Sequence, residues 1–271
     1  MQQKKIAFIG GGNMARAIAL GLLAKGYQAD HIMICDHNEN KRQAFEEKGI
    51  LTTAVSTSAI EFAEVILLAV KPQNMQQTCQ AFQQYDLQQK WLISIAAGIS
   101  VDTLQRYLPS AKQIVRVMPN TPALIGEGMS GLYANPNVTA EFKQYATALF
   151  NAIGQSCWVE TEADINTIIA ASASSPAYFF LFMEAMQKTA MAMGLDEQQS
   201  RLLVQQTALG AAQMVIKNPD LSLETLRQQV TSKGGTTAAA INVFQQHQLE
   251  QTITQAMQAA VARAEEMEKL F

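Results

Sequence analysis

Short apolar runs alternate with longer amphipathic segments through the first 161 residues, and the alternation then stops. The predicted strands, several of them apolar at successive positions, are Lys5–Gly10, His31–Asp36, Val65–Val70, Trp91–Ala97, Ile114–Met118 and Ser156–Glu160. The helices predicted between them are Asn13–Ala24, Lys41–Lys48, Gln73–Gln83, Val101–Tyr107 and Thr139–Phe150. Strands that alternate with helices form a parallel sheet covered on both faces. The pattern predicts a doubly wound α/β domain of the Rossmann type over residues 1–161.

From residue 162 to residue 271 the sequence is rich in Ala, Met, Gln and Leu, which predicts a second, all-α domain. The predicted helices are Asp164–Met193, kinked or divided at Pro176, then a helix from Asp196 to Lys217, Glu224–Val230, Thr237–Gln246 and Gln251–Leu270. Their apolar surface is larger than one small helical domain can bury. We therefore expect dimerisation through these helices, giving a homodimer or a larger homo-oligomer of dimers.

Composition indicates a folded protein and excludes several classes of partner. Apolar residues make up 48% of the chain and charged residues 16%, which argues against disorder. A net charge of -3 without a basic run argues against nucleic acid. Cys35, Cys79 and Cys157 lack the spacing of a metal site, and no uninterrupted apolar stretch of about 18 residues indicates a membrane span. We expect a cytoplasmic protein without metal, nucleic-acid or membrane partners.

A glycine-rich turn lies between the first predicted strand and the first predicted helix. Gly10, Gly12 and Ala15 fit the GxGxxA pattern, with Asn13 and Met14 opening the helix. In this pattern the first glycine permits a tight turn, the second lets the backbone approach a pyrophosphate, and the third small residue lets helix and strand pack closely. A flexible strand-to-helix turn is the alternative. The position at the start of an alternating α/β domain favours a dinucleotide.

The end of the second predicted strand bears on the choice of cofactor. Asp36 stands where an acidic residue usually binds the ribose 2′-hydroxyl of NAD. His37, Asn38, Lys41 and Arg42 follow directly and would suit a 2′-phosphate, although the two cations also fit a solvated first helical turn. The sequence leaves NADPH and NADH both open.

Four further features resemble pyrroline-5-carboxylate reductases, and with the turn they cover nearly the whole chain. They are Ala69–Pro72, Ser94–Gly98, the proline-stiffened Arg116–Ala123, and the helical-domain pair Ser172–Tyr178 with Val230–Thr237. The resemblance implies hydride transfer from NAD(P)H to 1-pyrroline-5-carboxylate. The product is L-proline, in the last step of proline biosynthesis. Such an enzyme is an oxidoreductase that acts on a C–N bond.

The resemblance also implies which residues of the first domain surround the nicotinamide half of the cofactor. These residues leave predicted strands at the carboxyl edge of the sheet, where open α/β folds bind ligands. They are Val70, Lys71 and Pro72 after one strand, Ala96 and Ala97 after the next, and Met118, Pro119 and Asn120 in the proline-stiffened loop.

The substrate site is expected at a glycine-threonine stretch that opens a predicted helix. Successive backbone amides at such a helix start form a nest suited to a carboxylate, although a simple glycine cap is the alternative. By resemblance, Ser232 and Gly234 belong to this site, and the amides of Gly235, Thr236 and Thr237 hold the substrate carboxylate. The Thr237 hydroxyl then faces the ring nitrogen of the imine.

Two residues depart from the family pattern without touching the groups that the chemistry requires. Lys233 replaces a usual proline, and Ala173 replaces a usual glycine. The matching segments contain no His, Asp or Glu cluster that would serve as a strong acid. Because a free imine can take its proton from water, we expect catalysis mainly by positioning, with Thr237 orienting the nitrogen.

Two other functions are compatible with parts of the sequence. A β-hydroxyacid dehydrogenase also joins a dinucleotide domain to a helical one, but it needs a catalytic lysine, for which Lys188 is the best available choice. A non-catalytic NAD(P)-sensing protein would explain the glycine turn. It would leave the loop Pro119–Pro122 and the nest at Thr236 and Thr237 without a purpose.

Overall fold

The computed structural model describes residues 2–270, and within them eight strands form one sheet in the order β3-β2-β1-β4-β5-β6-β7-β8. The strands are β1 (Ile6–Ile9), β2 (Ile32–Cys35), β3 (Leu51–Thr53), β4 (Val65–Leu68), β5 (Trp91–Ser94), β6 (Gln113–Met118), β7 (Gly128–Ala134) and β8 (Gly154–Trp158). Neighbouring strands are parallel except β6 and β7, which are antiparallel. The strand order reverses direction between β1 and β4, where open α/β sheets bind ligands.

Helices cover both faces of the sheet, as the alternating pattern predicts. They are α1 (Asn13–Ala24), α2 (Glu39–Glu46), α3 (Ser56–Phe62), α4 (Pro72–Gln80), α5 (Val101–Tyr107) and α6 (Ala140–Phe150). Side chains of β1 alternate between two apolar cores: Ile6 and Phe8 face one, and Ala7 and Ile9 face the other. The Rossmann-type fold with a following all-helical region is thus confirmed.

Two strands and one helix were not predicted, because their sequences lack the usual signals. β3 has three residues, α3 has seven, and β7 reads Gly-Met-Ser-Gly-Leu-Tyr-Ala, without a β-branched residue. The antiparallel direction of β7 follows from its connection, a short segment with a 3₁₀ turn at Thr121–Ile125. A parallel return requires a crossover of about a dozen residues or more.

Contacts divide the chain into two compact units, of which the second is Ala177–Gln258 and the first contains the rest. The segment after the sheet contains α7 (Asp164–Ile168) and a π-helical turn at Ile169–Ala173. A Cβ at Gly131 on β7 would lie 2.5 Å from a side-chain carbon of Ile168, so glycine permits this close packing. By contacts the segment therefore groups with the sheet. The domain boundary expected after residue 161 stays a prediction.

The remaining helices are α8 (Ser175–Ala192), α9 (Glu197–Lys217), α10 (Leu223–Gln229), α11 (Thr236–Gln246) and α12 (Leu249–Glu268). Pro176 lies in the first turn of α8, so the predicted long helix is divided there. The Asp196 carboxylate accepts the Gln199 amide proton at 2.7 Å and caps α9, as predicted. No residue of α8 is buried, and its Phe179–Phe182 run is exposed.

Candidate cofactor and substrate sites

The glycine-rich turn has the geometry that a pyrophosphate requires. Gly10 adopts a φ of +104°, and a Cβ there would lie 2.6 Å from the Ala69 carbonyl oxygen. A Cβ at Gly12 would meet no atom within 4 Å, so this side of the turn is open. Gly12 is the N-cap of α1, no side chain caps that helix, and Ala15 is fully buried beneath it. Backbone amides and the positive end of the helix dipole therefore face an accessible space.

A cavity of about 600 Å³ extends from this turn along the carboxyl edge of the sheet. Gly10 and Gly12 line it together with the predicted residues Asp36, Val70 and Lys71. Sequence reasoning missed the cavity residues that follow the unpredicted β3 and those on the cavity-facing side and at the end of α4. They are Ala54, Ser56, Asn74, Gln77, Thr78 and Ala81. Of these, only Asn74 could have been predicted as a cofactor residue from the sequence, because it lies two residues beyond the predicted Pro72.

Asp36 is held by several donors at the end of β2. Its carboxylate accepts hydrogen bonds from the amides of Gly11 at 2.8 Å and Asn38 at 2.9 Å, and from Lys41 Nζ at 3.1 Å. Burial by itself would raise the pKa of Asp36, but these hydrogen bonds and the Lys41 charge outweigh it and the pKa is lowered. Arg42 Nη1 donates to the Asp36 carbonyl at 2.8 Å. An ionised carboxylate and two cations thus lie together at this end of the cavity.

The residues expected at the nicotinamide end follow β4, β5 and β6, which are adjacent parallel strands. Lys71 is the N-cap of α4 and Pro72 its first residue. Ala96 is buried in an apolar core, whereas Ala97 is half-buried. These segments follow parallel strands at the same sheet edge as the glycine turn, but only Val70 and Lys71 line the cavity there, and Pro72, Ala96 and Ala97 do not.

The loop after β6 contributes the last predicted cofactor residues. Met118 is half-buried, whereas Pro119 and Asn120 are buried. The Asn120 side chain accepts the Met129 amide proton at 2.9 Å and donates to the Ser172 carbonyl at 3.3 Å. Both ends of its amide group are thus occupied by protein.

The predicted substrate nest lies at the start of α11 in the second unit. Gly234 has a φ of +73° and Gly235 is the N-cap, with no side chain capping the helix. The Gly235 amide donates to the Ser232 carbonyl at 3.0 Å. A Cβ at Gly235 would lie 2.5 Å from Ser232 Oγ, so a larger residue there would require the Ser232 side chain to move. A carboxylate bound here would therefore be held by the next amides, those of Thr236 and Thr237.

The structure offers little support for a metal site or for the catalytic lysine of a dehydrogenase. Among residues 2–270, no group of three or more His, Cys, Asp or Glu side chains has an arrangement that would hold a metal. Lys188, the residue that a dehydrogenase would need, is exposed on α8 and paired with Glu184 one turn away.

Comparison with known proteins shows similarity over the whole chain. Residues 162–267 match the family described as pyrroline-5-carboxylate reductase dimerisation, and residues 5–98 match the family described as NADP oxidoreductase coenzyme F420-dependent. The pyrroline-5-carboxylate reductases of Pasteurella multocida and Haemophilus influenzae are 59% and 54% identical to this chain, and each alignment covers 100% of both proteins.

Solved structures agree with this similarity. A pyrroline-5-carboxylate reductase from Coxiella burnetii has a TM-score of 0.92 and 39% identity, covering 98% of this chain and 99% of that one. The pyrroline carboxylate reductase of Plasmodium falciparum, solved with NADP bound, has a TM-score of 0.87 and 29% identity, covering 99% of both chains.

Proposed function

This chain belongs to the pyrroline-5-carboxylate reductase family, and from its site geometry we propose how its residues reduce 1-pyrroline-5-carboxylate to L-proline. It is an NAD(P)H-dependent oxidoreductase of proline biosynthesis. The observation that carries the proposal is the open glycine turn at Gly10–Gly12, which lies on the same sheet edge as the loops after β4, β5 and β6.

A direct assay tests this function. Purified protein is mixed with 1-pyrroline-5-carboxylate and NADPH or NADH, and oxidation is followed by cofactor absorbance. We expect oxidation that depends on the imine. Tight cofactor binding without oxidation would instead support an NAD(P)-sensing protein. Reduction of NAD(P)⁺ by a hydroxy acid, with no activity on the imine, would support a dehydrogenase.

The cofactor roles follow from the turn and the sheet edge. The amides at Gly12, Asn13 and Met14 bind the pyrophosphate, and Gly10 and Ala15 permit the close approach. The nicotinamide half is placed by the loops after β4, β5 and β6. Asn120 holds the last of these loops, and the residues beside the ring are Val70, Lys71, Pro72, Ala96, Ala97, Met118 and Pro119. When bound, NAD(P)H supplies the hydride.

The substrate roles follow from the start of α11. The amides of Thr236 and Thr237 hold the substrate carboxylate, because the Gly235 amide already donates to the Ser232 carbonyl. The Thr237 hydroxyl donates a hydrogen bond to the ring nitrogen and orients the imine. Water supplies the nitrogen with its proton, so no side-chain acid is needed.

We expect Lys41→Met to lower the preference for NADPH over NADH about tenfold, since a cation on a phosphate contributes a strong hydrogen bond. Lys41 Nζ is half-exposed at the cavity and would bind a 2′-phosphate, whereas Asp36 accepts from a 2′-hydroxyl. The measurement is kcat/KM with each cofactor. Lys48→Met, an exposed lysine just beyond the end of α2, is the control. Equal losses with both cofactors would contradict the role of Lys41.

We also propose that a second copy of this chain covers the apolar face of the helical unit, forming a homodimer that assembles further into an oligomer of dimers. The exposed apolar residues include Phe179, Phe180 and Leu181 on α8 and Leu202 and Leu203 on α9, all more than half exposed.

By length and composition alone, Asp164–Ala192 would also pass as a membrane span. The match to a dimerisation family over residues 162–267 favours a protein partner, and we propose a cytoplasmic enzyme without a nucleic-acid or membrane partner.

The double variant Leu202→Glu with Leu203→Glu is expected to give monomers, because two buried carboxylates would oppose association. Sedimentation measures the mass, and flotation with lipid vesicles measures membrane binding. Leu51→Glu, an exposed residue of β3, is the control and should keep the wild-type mass. A wild-type protein that is monomeric, or that floats with vesicles, would contradict the proposed assembly.

A further inference from the structure

The start of α8 leaves backbone carbonyls without their helical donor. In a continuous helix, residue 176 would donate its N–H to the carbonyl of Ser172 or, in a π-helical turn, of Ala171. Pro176 has no N–H. The π-helical turn at Ile169–Ala173 ends three residues before it, and α8 begins at Ser175. Pro176 therefore removes one helical donor, and the carbonyls of Ala171 and Ser172 both accept side-chain donors.

Two side chains provide these donors. Ser175 Oγ donates to the Ala171 carbonyl at 2.8 Å and lies 3.2 Å from the Ser172 carbonyl. Asn120 Nδ2, from the loop after β6, lies 3.3 Å from both the carbonyl oxygen and Oγ of Ser172. Asn120 is thus linked to the Ser172 carbonyl, 52 residues away. Pro176, which has no N–H, does not compete for that carbonyl.

The other end of the same amide group joins the loop to β7. Asn120 Oδ1 accepts the Met129 amide proton at 2.9 Å, and Ser172 Oγ lies 3.5 Å from the Met129 carbonyl. Asn120 is 9% exposed. An amide side chain is required for this arrangement, because it combines an acceptor with a donor.

We propose that Asn120 is a positioning residue, which fixes the Met118–Pro119 loop against the π-helical turn through the Ser172 carbonyl that Pro176 leaves free. Its hydrogen-bonding groups are engaged by protein, so it acts through the loop and not as a side-chain ligand of the cofactor. The inference rests on the proposed function, in which Met118 and Pro119 border the nicotinamide. Displacing a bordering group by about 1 Å can cost up to about 10²-fold in rate.

A matched residue lies at the opposite end of the same strand pair. Asn135 Oδ1 accepts the Ile114 amide proton at 3.2 Å, and its Nδ2 donates to the Lys112 carbonyl at 2.9 Å. Asn135 is 3% exposed. It therefore has the same chemistry and burial as Asn120, but it lies at the amino end of β6, away from the loop.

The test compares Asn120→Asp with Asn135→Asp, since each aspartate keeps an acceptor and loses the donor. We expect both variants to have a lower Tm. Asn120→Asp should also lower kcat on the imine about 10- to 100-fold, with the KM for NADPH changed less than about threefold. Asn135→Asp should keep kcat within about twofold of wild type.

Pro176→Ala provides a second test, in which kcat is expected to fall while Tm does not. The new N–H competes with Asn120 for the Ser172 carbonyl, so kcat should fall about fivefold. Tm should stay equal or rise, because alanine is the better helix former. General damage to the fold would lower both quantities together.

The wild-type assay separates a failure of the proposed function from a failure of the positioning role of Asn120. No imine reduction by wild type would overturn the proposed function. Wild-type reduction with an unchanged kcat in Asn120→Asp, or with equal kcat losses in both asparagine variants, would overturn the positioning role alone. A large loss of NADPH binding in Asn120→Asp would also overturn it, since that result would make Asn120 a cofactor ligand.

Discussion

Thr237→Ala is expected to lower kcat on 1-pyrroline-5-carboxylate about 10²-fold, as removal of one oriented donor at a reacting centre does in other enzymes. The hydroxyl is proposed to hold the ring nitrogen while the hydride is transferred. We propose no part for it in cofactor binding, which we assign to the turn at Gly10–Gly12 and the loops after β4, β5 and β6. The KM for NADPH and for NADH should therefore stay near the wild-type value, and steady-state kinetics with each substrate varied in turn measures both effects.

Conservative variants make this test specific. Thr237→Ser keeps the hydroxyl and should recover most of the rate, whereas Thr237→Val keeps the shape and should resemble alanine. Thr252→Val is the control, because Thr252 is exposed on α12 and its hydroxyl donates to the Gln248 carbonyl just before that helix. Loss of cofactor binding in Thr237→Ala, or a serine variant as slow as valine, would contradict the assigned role.

Arg116→Met is expected to lower the free energy of unfolding by about 3–5 kcal/mol, because it leaves carboxylates without their buried partner. Arg116 on β6 is 1% exposed. Its Nη1 donates to Glu162 at 2.9 Å, and its Nη2 lies 2.8 Å from a Glu268 oxygen, an ion pair without hydrogen-bond geometry. Glu162 also accepts the Val101 amide proton at 2.7 Å, so three segments of the first unit meet at this cation.

Urea unfolding of the variant measures this loss, and a surface ion pair on α12, the helix of Glu268, provides the control. Arg263 lies 2.7 Å from Glu266, and both side chains are more than 60% exposed. Arg263→Met should therefore cost about 1 kcal/mol or less. If the two variants unfold at the same urea concentration, burial of Arg116 does not stabilise the first unit as argued.

Local patterns were sufficient to predict several features of this protein. The turn at Gly10–Gly12 and the end of β2 at Asp36 depend on neighbouring residues and on the period of the apolar positions. The cap of α9 at Asp196 likewise depends on a residue three positions away. Such short-range signals are present in the sequence itself, so the fold class and the position of the cofactor turn followed from it.

Other features required partners that are distant in sequence. β7 pairs along β6 although its own residues are poor strand formers, because the sheet edge supplies its hydrogen bonds. Ala96 turned out to be buried in a core, and the Gly235 amide turned out to donate to Ser232. Strand pairing and amide partners are set by the folded backbone and not by residue type.

The sequence by itself determined a dinucleotide-binding α/β fold joined to helices, because periodicity and glycine geometry are local properties. Only the tertiary structure decided what Asn120 and Arg116 do. Their partners Ser172 and Glu162 lie 52 and 46 residues further along the chain. A buried amide or guanidinium must find a partner, and only the packed chain determines which one lies within reach.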